Sequence, residues 1–464
     1  MTEGLWSPLA EVAAVLLASG AFGYGVAGAF LSVAAGRTER AAWGLGVGLA
    51  LLAASVPLAF AAGRPPREMA VLLFATAAAA AWILHRYRRE GRGAGRDTGG
   101  VRALLTPSSV LLLLLLIAFG VAVFALRALT EPMWSNDYLA IWGFKGKTLF
   151  GAGGVPGRLF TDPALGFSHP EYPLGLPFLF AALSFLLGRW DDHAMALLFP
   201  FLQVATLFAL FGWLRRRGVA RTVALSAAAL LANFSPLYSA FLTGMADIPQ
   251  AFVSLLFGTA LVDALDQLDA FAVRRLALAS ALAVSIKNEG ALLAAAGFLL
   301  CLVPRGWARA ASRRAAAAVA APTVLFLLAG RLWKGNPPLR DFDFGLLGPT
   351  LVLELLPRVA EAIHVAFREV ILPSWPGLLC VVVLLAAGRP TPAGDRLVLL
   401  ALLCALAYLL APAIAVLGPD WLIRTSFART VSALAPLAAA GIALRLRSLK
   451  AGAKGGDPER TAGG

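Results

Sequence analysis

Apolar runs, each near the roughly 20 residues that a helix needs to cross a bilayer core, recur along most of this chain. No other feature of the sequence constrains its fold as much. Within hydrocarbon only α-helices and closed barrels satisfy their own backbone. The alternation with period two that marks a membrane barrel is absent, so the chain reads as an all-α, polytopic transmembrane bundle. Of its 464 residues, 59% are hydrophobic and only 14% charged, against about 25% charged in a soluble domain. Membrane helices are predicted at 8–35, 42–62, 68–86, 107–129, 193–213, 220–240, 248–266, 273–288, 290–304, 315–333, 370–388, 396–417 and 430–445, about 13 in all, with juxtamembrane helices in the first large external loop.

Charge orients these segments. The net charge of +14 sits mostly in short loops: Arg37–Arg40, Arg86–Arg102, Arg215–Arg221, Arg274–Arg275, Arg305–Arg314 and the tail Arg445–Lys454. Such clusters beside apolar runs follow the positive-inside rule better than they suit a nucleic-acid surface. With these loops cytoplasmic, the N-terminus lies outside and the C-terminus inside. Residues 130–192, 241–247, 287–290, 334–369 and 418–429 then become extracytoplasmic. Residues 173–188 are apolar but interrupted by Pro173, Gly175 and Pro177. A crossing there would put Arg215–Arg217 outside, so a juxtamembrane or re-entrant helix is expected.

The Gly/Arg linker 91–102 divides the chain. Residues 1–104 form a three-helix membrane module with its basic cytoplasmic linker. Residues 105–446 form the core, with an active-site loop at 130–192, and 447–464 a basic cytoplasmic tail. The start Met1-Thr-Glu-Gly lacks a basic n-region, so no cleaved signal peptide is expected. Cys301, Cys380 and Cys404 all fall in apolar runs without CxxC spacing, which indicates neither a disulfide framework nor a thiolate zinc site.

The unusual polar residues fall on the predicted external side. Asp137 follows the fourth helix by a few residues, among Trp134, Tyr138, Trp142 and Phe144. It is a candidate base, or else the cap of an interfacial helix in an aromatic belt. In Ser168-His-Pro-Glu-Tyr-Pro173, prolines fix a rigid turn; His169 and Glu171 are candidate ligands for a metal or a substrate, against a purely structural turn. The run Gly151–Gly157 has no GxGxxG spacing and reads as a loop, not a phosphate cradle. Asp247 opens a helix with Pro249 in its first turn, as a cap that can also bind substrate. Lys287-Asn-Glu-Gly290 interrupts an apolar span, where ionisable residues are costly and by default functional; the alternative is a solvated turn. Arg424 and Arg429 flank the mouth of the last helix, where an arginine can also simply snorkel.

Taken in order, Asp137, the His169-Pro-Glu-Tyr-Pro turn, Ala246-Asp-Ile-Pro, Lys287-Asn-Glu-Gly and Thr425-Ser-Phe-Ala-Arg429 resemble the GT-C superfamily of membrane glycosyltransferases. That group includes polyprenyl-phosphate-mannose protein mannosyltransferases and aminoarabinose transferases, and the likeness covers about residues 105–445. The resemblance implies inverting transfer of a sugar from a polyprenyl-phosphate donor to a lipid, glycan or protein acceptor outside the cytoplasm. It implies a cytoplasmic (inner) membrane location with the site facing outward, and Asp137 as catalytic base. The paired-acid form of some members is absent, because Asn136 precedes Asp137. Trp142, Lys145, Lys147, His169, Glu171, Tyr172, Asp247, Lys287, Glu289 and Arg429 are the candidate substrate-binding residues. Lysine and arginine neutralise phosphate, and tryptophan stacks on sugar and lipid. No cofactor is demanded, and a divalent metal stays open. The alternatives are a secondary transporter or flippase, a polysaccharide polymerase or ligase, or an inactive scaffold.

Overall fold

The computed structural model describes residues 3–30, 36–89, 107–266, 271–302, 310–334, 351–416 and 418–447. Among them there is no β-strand. The main helices are α1 (Glu3–Phe30), α2 (Arg37–Ala62), α3 (Pro66–Arg89), α4 (Pro107–Thr130), α5 (Gly143–Ala152) and α6 (Gly175–Leu187). They continue as α7 (Leu198–Arg216), α8 (Arg221–Ala232), α9 (Asp247–Leu265), α10 (Ala272–Ile286) and α11 (Glu289–Leu302). The last five are α12 (Ala310–Lys334), α13 (Leu351–Ala366), α14 (Trp375–Ala387), α15 (Pro392–Leu410) and α16 (Ala435–Leu446). The linker 91–102, residues 305–309 of the Arg305–Arg314 loop, residues 335–350 and the tail beyond Arg447 lie outside the described residues.

Every apolar run expected to be helical contains a helix, but length and composition support only seven or eight of the roughly 13 expected crossings among the described residues. Seven helices among the described residues are long and apolar enough to span a bilayer, and the pair Pro419–Ser432 and Ala435–Leu446, bent by 45°, makes an eighth. Four of the expected spans, α8, α10, α11 and α14, are only 12, 15, 14 and 13 residues long. At 1.5 Å per residue such helices reach about 18–23 Å, short of a core about 30 Å thick. Segment 173–188 likewise condenses to the 13-residue α6, buried against α2, α5 and α10.

Two helices mark the extremes of burial. α4 is the most apolar span, yet only 11% of its central window is buried within the protein. Its exposed Leu111, Leu112, Leu115, Phe119 and Leu126 form a face suited to lipid. By contrast, 94% of the α9 window is buried, as expected of a helix that is apolar all round. α7, α10, α11, α12, α15 and α16 pack around it. The first three helices share this core, because α2 packs on both α6 and α7.

Candidate functional site

α9 carries one buried carboxylate at each end, Asp247 and Asp263, both 1% exposed. A carboxylate in the first turn is favoured by the helix dipole. One at the far end is not, and must be held by cations. Around these two residues the polar side chains of the molecule gather into an outer and an inner cluster.

At the outer end a chain of alternating charges joins four segments. Asp137 Oδ2 accepts from Arg429 Nη1 at 2.6 Å, across 292 residues of sequence. Arg429 Nε lies 3.9 Å from Asp247 Oδ2. Lys287 Nζ donates to Asp247 Oδ1 at 3.0 Å and pairs with Glu289 Oε1 at 2.8 Å. Asp247 and Lys287 are almost fully buried, while Asp137 and Glu289 keep 29% and 21% of their side chains exposed. The chain therefore runs from a buried centre to two accessible carboxylates. Asp247 Oδ2 and Arg429 Nε are buried and make no hydrogen bond, so the centre of the chain is incompletely coordinated.

Local structure explains why these side chains converge. Asp137 precedes a π-helical turn, Tyr138–Trp142, closed by Gly143 N–H onto the Tyr138 carbonyl. Arg429 follows a second such turn, Ile423–Phe427. Turns of this kind are uncommon and concentrate at functional sites. Tyr138 is buried, and both its hydroxyl and the Trp190 indole N–H donate to Asp192, the latter at 2.5 Å, which fixes the first turn. The Lys287 turn is set by close helix approach. A Cβ on Gly290 would sit 1.8 Å from the Ala283 carbonyl oxygen, and one on Gly175 2.3 Å from that of Ser285, so neither position admits a side chain.

For Asp137, Asp247 and Lys287 the capping and solvated-turn alternatives differ from what the structure shows. Asp137 makes no capping bond; Ser135 Oγ instead accepts from Tyr138 N–H. Tyr138 and Trp142 are 3% and 1% exposed, so they belong to the core and not to an aromatic belt, and only Trp134 is exposed. Asp247 is the first helical residue of α9 rather than its cap. Lys287 is buried and paired rather than solvated. Arg424 stands apart, exposed and paired with Asp420 and Glu369 at 2.9 Å each.

The His169–Tyr172 turn forms a second patch beside the chain of charges. The Tyr172 ring lies 5.7 Å from that of Trp142 and 4.9 Å from that of His169. His169 adopts a left-handed backbone (φ 51°), rare for a residue other than glycine. Its Nδ1 lies 3.4 Å from Glu171 Oε1, while Glu171 Oε2 is buried without a hydrogen bond. Lys145 is fully buried and donates to the His169 carbonyl at 2.5 Å, so it pins the turn. Lys147, also predicted to bind substrate, is exposed and lies outside both groups. Two residues further along a helix, a side chain points about 200° away.

Lys334, Asp192 and Trp190 are members of the site that the sequence alone does not reveal. Lys334 donates to the carbonyls of Glu171 (3.2 Å) and Tyr172, over the Phe160 ring. Burial pushes its ammonium down to about 8, partly opposed by Glu171. A lysine ending an apolar helix looks like an ordinary snorkelling residue, and nothing in the sequence separates the two cases. No group of three or more His, Cys, Asp or Glu that could hold a metal occurs among the described residues.

The inner cluster is built differently. Asp263 accepts from Arg216 and Arg217 at 2.6 Å, from Arg275 at 3.0 Å and from the Trp213 indole at 3.1 Å. Arg216 also grips Glu39 through two bonds of 2.7 Å. Arg217 and Arg396 both reach Asp266, the first at 2.8 Å. Arg216, Arg217 and Arg275 come from loops the sequence places on one basic side and Arg396 from the first turns of α15, and they meet at the end of α9 opposite the outer site. Against known protein families, curated proteins and solved structures the chain finds no match.

Proposed function

We propose that the chain is an integral membrane glycosyltransferase that moves a sugar from a polyprenyl-phosphate donor to an extracytoplasmic acceptor with inversion. The observation that carries this reading is the chain of charges: an accessible carboxylate, Asp137, shares Arg429 with a buried pair, Asp247 and Lys287. A phosphate needs cations and an acceptor hydroxyl needs a base, and this group supplies both within one site. The basic inner cluster favours the cytoplasm for that end, and so the opposite side of an inner membrane for the outer site.

In the ground state Asp137 occupies Arg429. A donor phosphate entering beside Asp247 competes for the same guanidinium and recruits the Lys287 ammonium. Asp137 is then released to accept a proton. The acceptor oxygen forms its bond to the anomeric carbon from the face opposite the leaving group. The bond from that carbon to the phosphate oxygen breaks, the hydroxyl proton passes to Asp137, and polyprenyl phosphate departs with the electron pair. Stabilisation of the departing charge by Arg429 and Lys287 is the type of term that dominates most enzymatic rate gains. A single base suffices because phosphate leaves readily, unlike the alkoxide of a glycosidase. Tyr172, with Glu171 and His169, is assigned to the sugar, and the buried Trp142 to the support of the Tyr172 ring rather than to the sugar itself.

The test is a reconstitution in lipid vesicles with a polyprenyl-phosphate sugar. The reading expects glycosylated acceptor and free polyprenyl phosphate, both lost in Asp137→Asn. Intact donor appearing on the opposite leaflet, without cleavage, would favour a flippase and overturn the transferase.

A further inference from the structure

α13 and the two residues after it divide into three faces. Ala362, Val365 and Ala366 are buried and seat against Ile423, with Leu409 and Phe427 beside them. Leu353, Leu356, Ile363 and Phe367 form a second stripe, exposed at 80%, 58%, 49% and 54%. Glu354, Glu361, His364 and Arg368 form a third, also exposed. Successive helical residues turn by about 100°, which places the apolar stripe and the charged stripe side by side, both facing away from the protein.

Neither water nor hydrocarbon alone accommodates such a helix. Four large apolar side chains would stand in water if it projected outward, and three or four charges would be desolvated if it were immersed in lipid. A helix with a polar and an apolar outer face resolves the conflict by lying in the plane of the headgroup boundary. The neighbourhood agrees. The candidate span Pro392–Ile414 exposes Leu399, Leu402, Leu406 and Leu410 along its length. The Ala411–Ile414 and Pro419–Leu422 turns at its end pack on α13, with Val416 and Trp421 exposed beside them. The apolar stripe of α13 therefore continues a lipid-facing surface.

We infer that α13 docks on the membrane surface, its Leu353–Phe367 stripe in the acyl boundary and its charged stripe in the headgroup layer. The partner is the lipid bilayer itself. The buried face of α13 grips Ile423 and Phe427, immediately before Arg429. The docked helix thus fixes the depth of the Arg429 segment relative to the headgroups, where the phosphate of any lipid-linked ligand resides. This inference needs only the membrane location of the chain and stands whether or not the transferase reading does.

The experiment places nitroxide labels in a Cys380→Ser background, since Cys380 is the exposed cysteine and Cys301 and Cys404 are buried. Single cysteines replace Leu356, Ile363 or Glu361 in the full chain, reconstituted in lipid nanodiscs. Collisions with oxygen, which concentrates in lipid, are expected to dominate at 356 and 363. Collisions with a water-soluble nickel chelate are expected to dominate at 361. The nickel reagent dominating at all three would show a helix projecting into water and overturn the docking. Positions 356 and 363 shielded from both reagents would show that a second copy or another part of this chain covers the stripe, and would overturn it equally.

Discussion

Asp247 and Asp263 are the same residue type on the same buried helix, 1% exposed each, yet their surroundings differ in kind. Asp263 receives four donors, three of them arginines, and both its oxygens are engaged. Asp247 receives one close donor, Lys287, and its second oxygen has only Arg429 at 3.9 Å. A saturated buried carboxylate has no capacity for a ligand and serves to lock helices together: here α2, α7, α9, α10 and, through Asp266, α15. An unsaturated one beside an accessible ion pair can exchange partners. Burial of charge alone therefore does not mark a site; a buried carboxylate with an unengaged oxygen beside a partly exposed ion pair is the distinguishing feature.

The comparison breaks most visibly by removing the inner carboxylate. Asp263→Ala takes from three buried arginines the carboxylate they share, although Arg216 keeps Glu39 and Arg217 keeps Asp266, and breaking a buried pair from one side typically costs about 3–5 kcal/mol. Thermal unfolding in detergent should show a larger loss for this variant than for any substitution in the outer cluster. Asp247→Asn should cost clearly less, because Lys287 keeps Glu289 and Arg429 keeps Asp137. Equal losses at the two positions would mean that the outer cluster is also only a lock.

On the proposed transferase reading, the outer end responds in activity instead. Asp137→Asn should lower transfer by at least about 10²-fold, the scale of general-base catalysis. Binding of a polyprenyl-phosphate sugar should hold or tighten, since Arg429 loses its competing partner. Arg429→Ala should weaken both binding and turnover, because the cation meets phosphate in the ground and transition states alike. Weaker donor binding in Asp137→Asn would contradict the exchange of partners at Arg429.

Much of this was legible in sequence, for identifiable reasons. Apolar runs placed the helices, and the one-sided distribution of Asp137, Asp247, Lys287, Glu289 and Arg429 anticipated their convergence. The number of crossings was not legible. Short apolar helices such as α10 and α11 share a hydropathy signature with the longer spans, and their helical lengths of 15 and 14 residues are not encoded in that signature. The Asp137–Arg429 pairing is a contact across 292 residues that no local pattern encodes. The saturation of Asp263 was equally invisible, because Arg215–Arg217 and Arg274–Arg275 read as topology signals before they read as ligands.

A smaller effect sharpens the boundary of the outer site. Lys334 is held at about 8 against its ordinary 10.5. Between those values the unfolded chain binds more protons than the folded one, so stability rises with pH across that window. Below it the full cost of burying the ammonium is present. Unfolding temperatures followed from about pH 8 to 10 should climb relative to Lys334→Met, whose curve lacks this contribution. Parallel curves would mean that the amine is solvated rather than buried over Phe160.

The smallest effect separates two lysines only two residues apart. Lys145 lies inside, fully buried on the His169 carbonyl, whereas Lys147 faces outward. Lys145→Ala removes a charge-assisted hydrogen bond that holds the His169–Tyr172 turn, a contact worth about 1.5–3 kcal/mol when the donor is charged. That loss should appear both in unfolding and in turnover. Lys147→Ala removes an exposed ammonium with no partner to abandon, so its stability should stay within about 0.5 kcal/mol of wild type. Its remaining influence is electrostatic: a surface lysine attracts anionic lipid by about 1 kcal/mol, and added salt screens that attraction. Turnover of Lys147→Ala should therefore fall slightly at low salt and match wild type at high salt. A salt-independent loss as large as that of Lys145→Ala would place Lys147 on the substrate and extend the site to the outer face of α5.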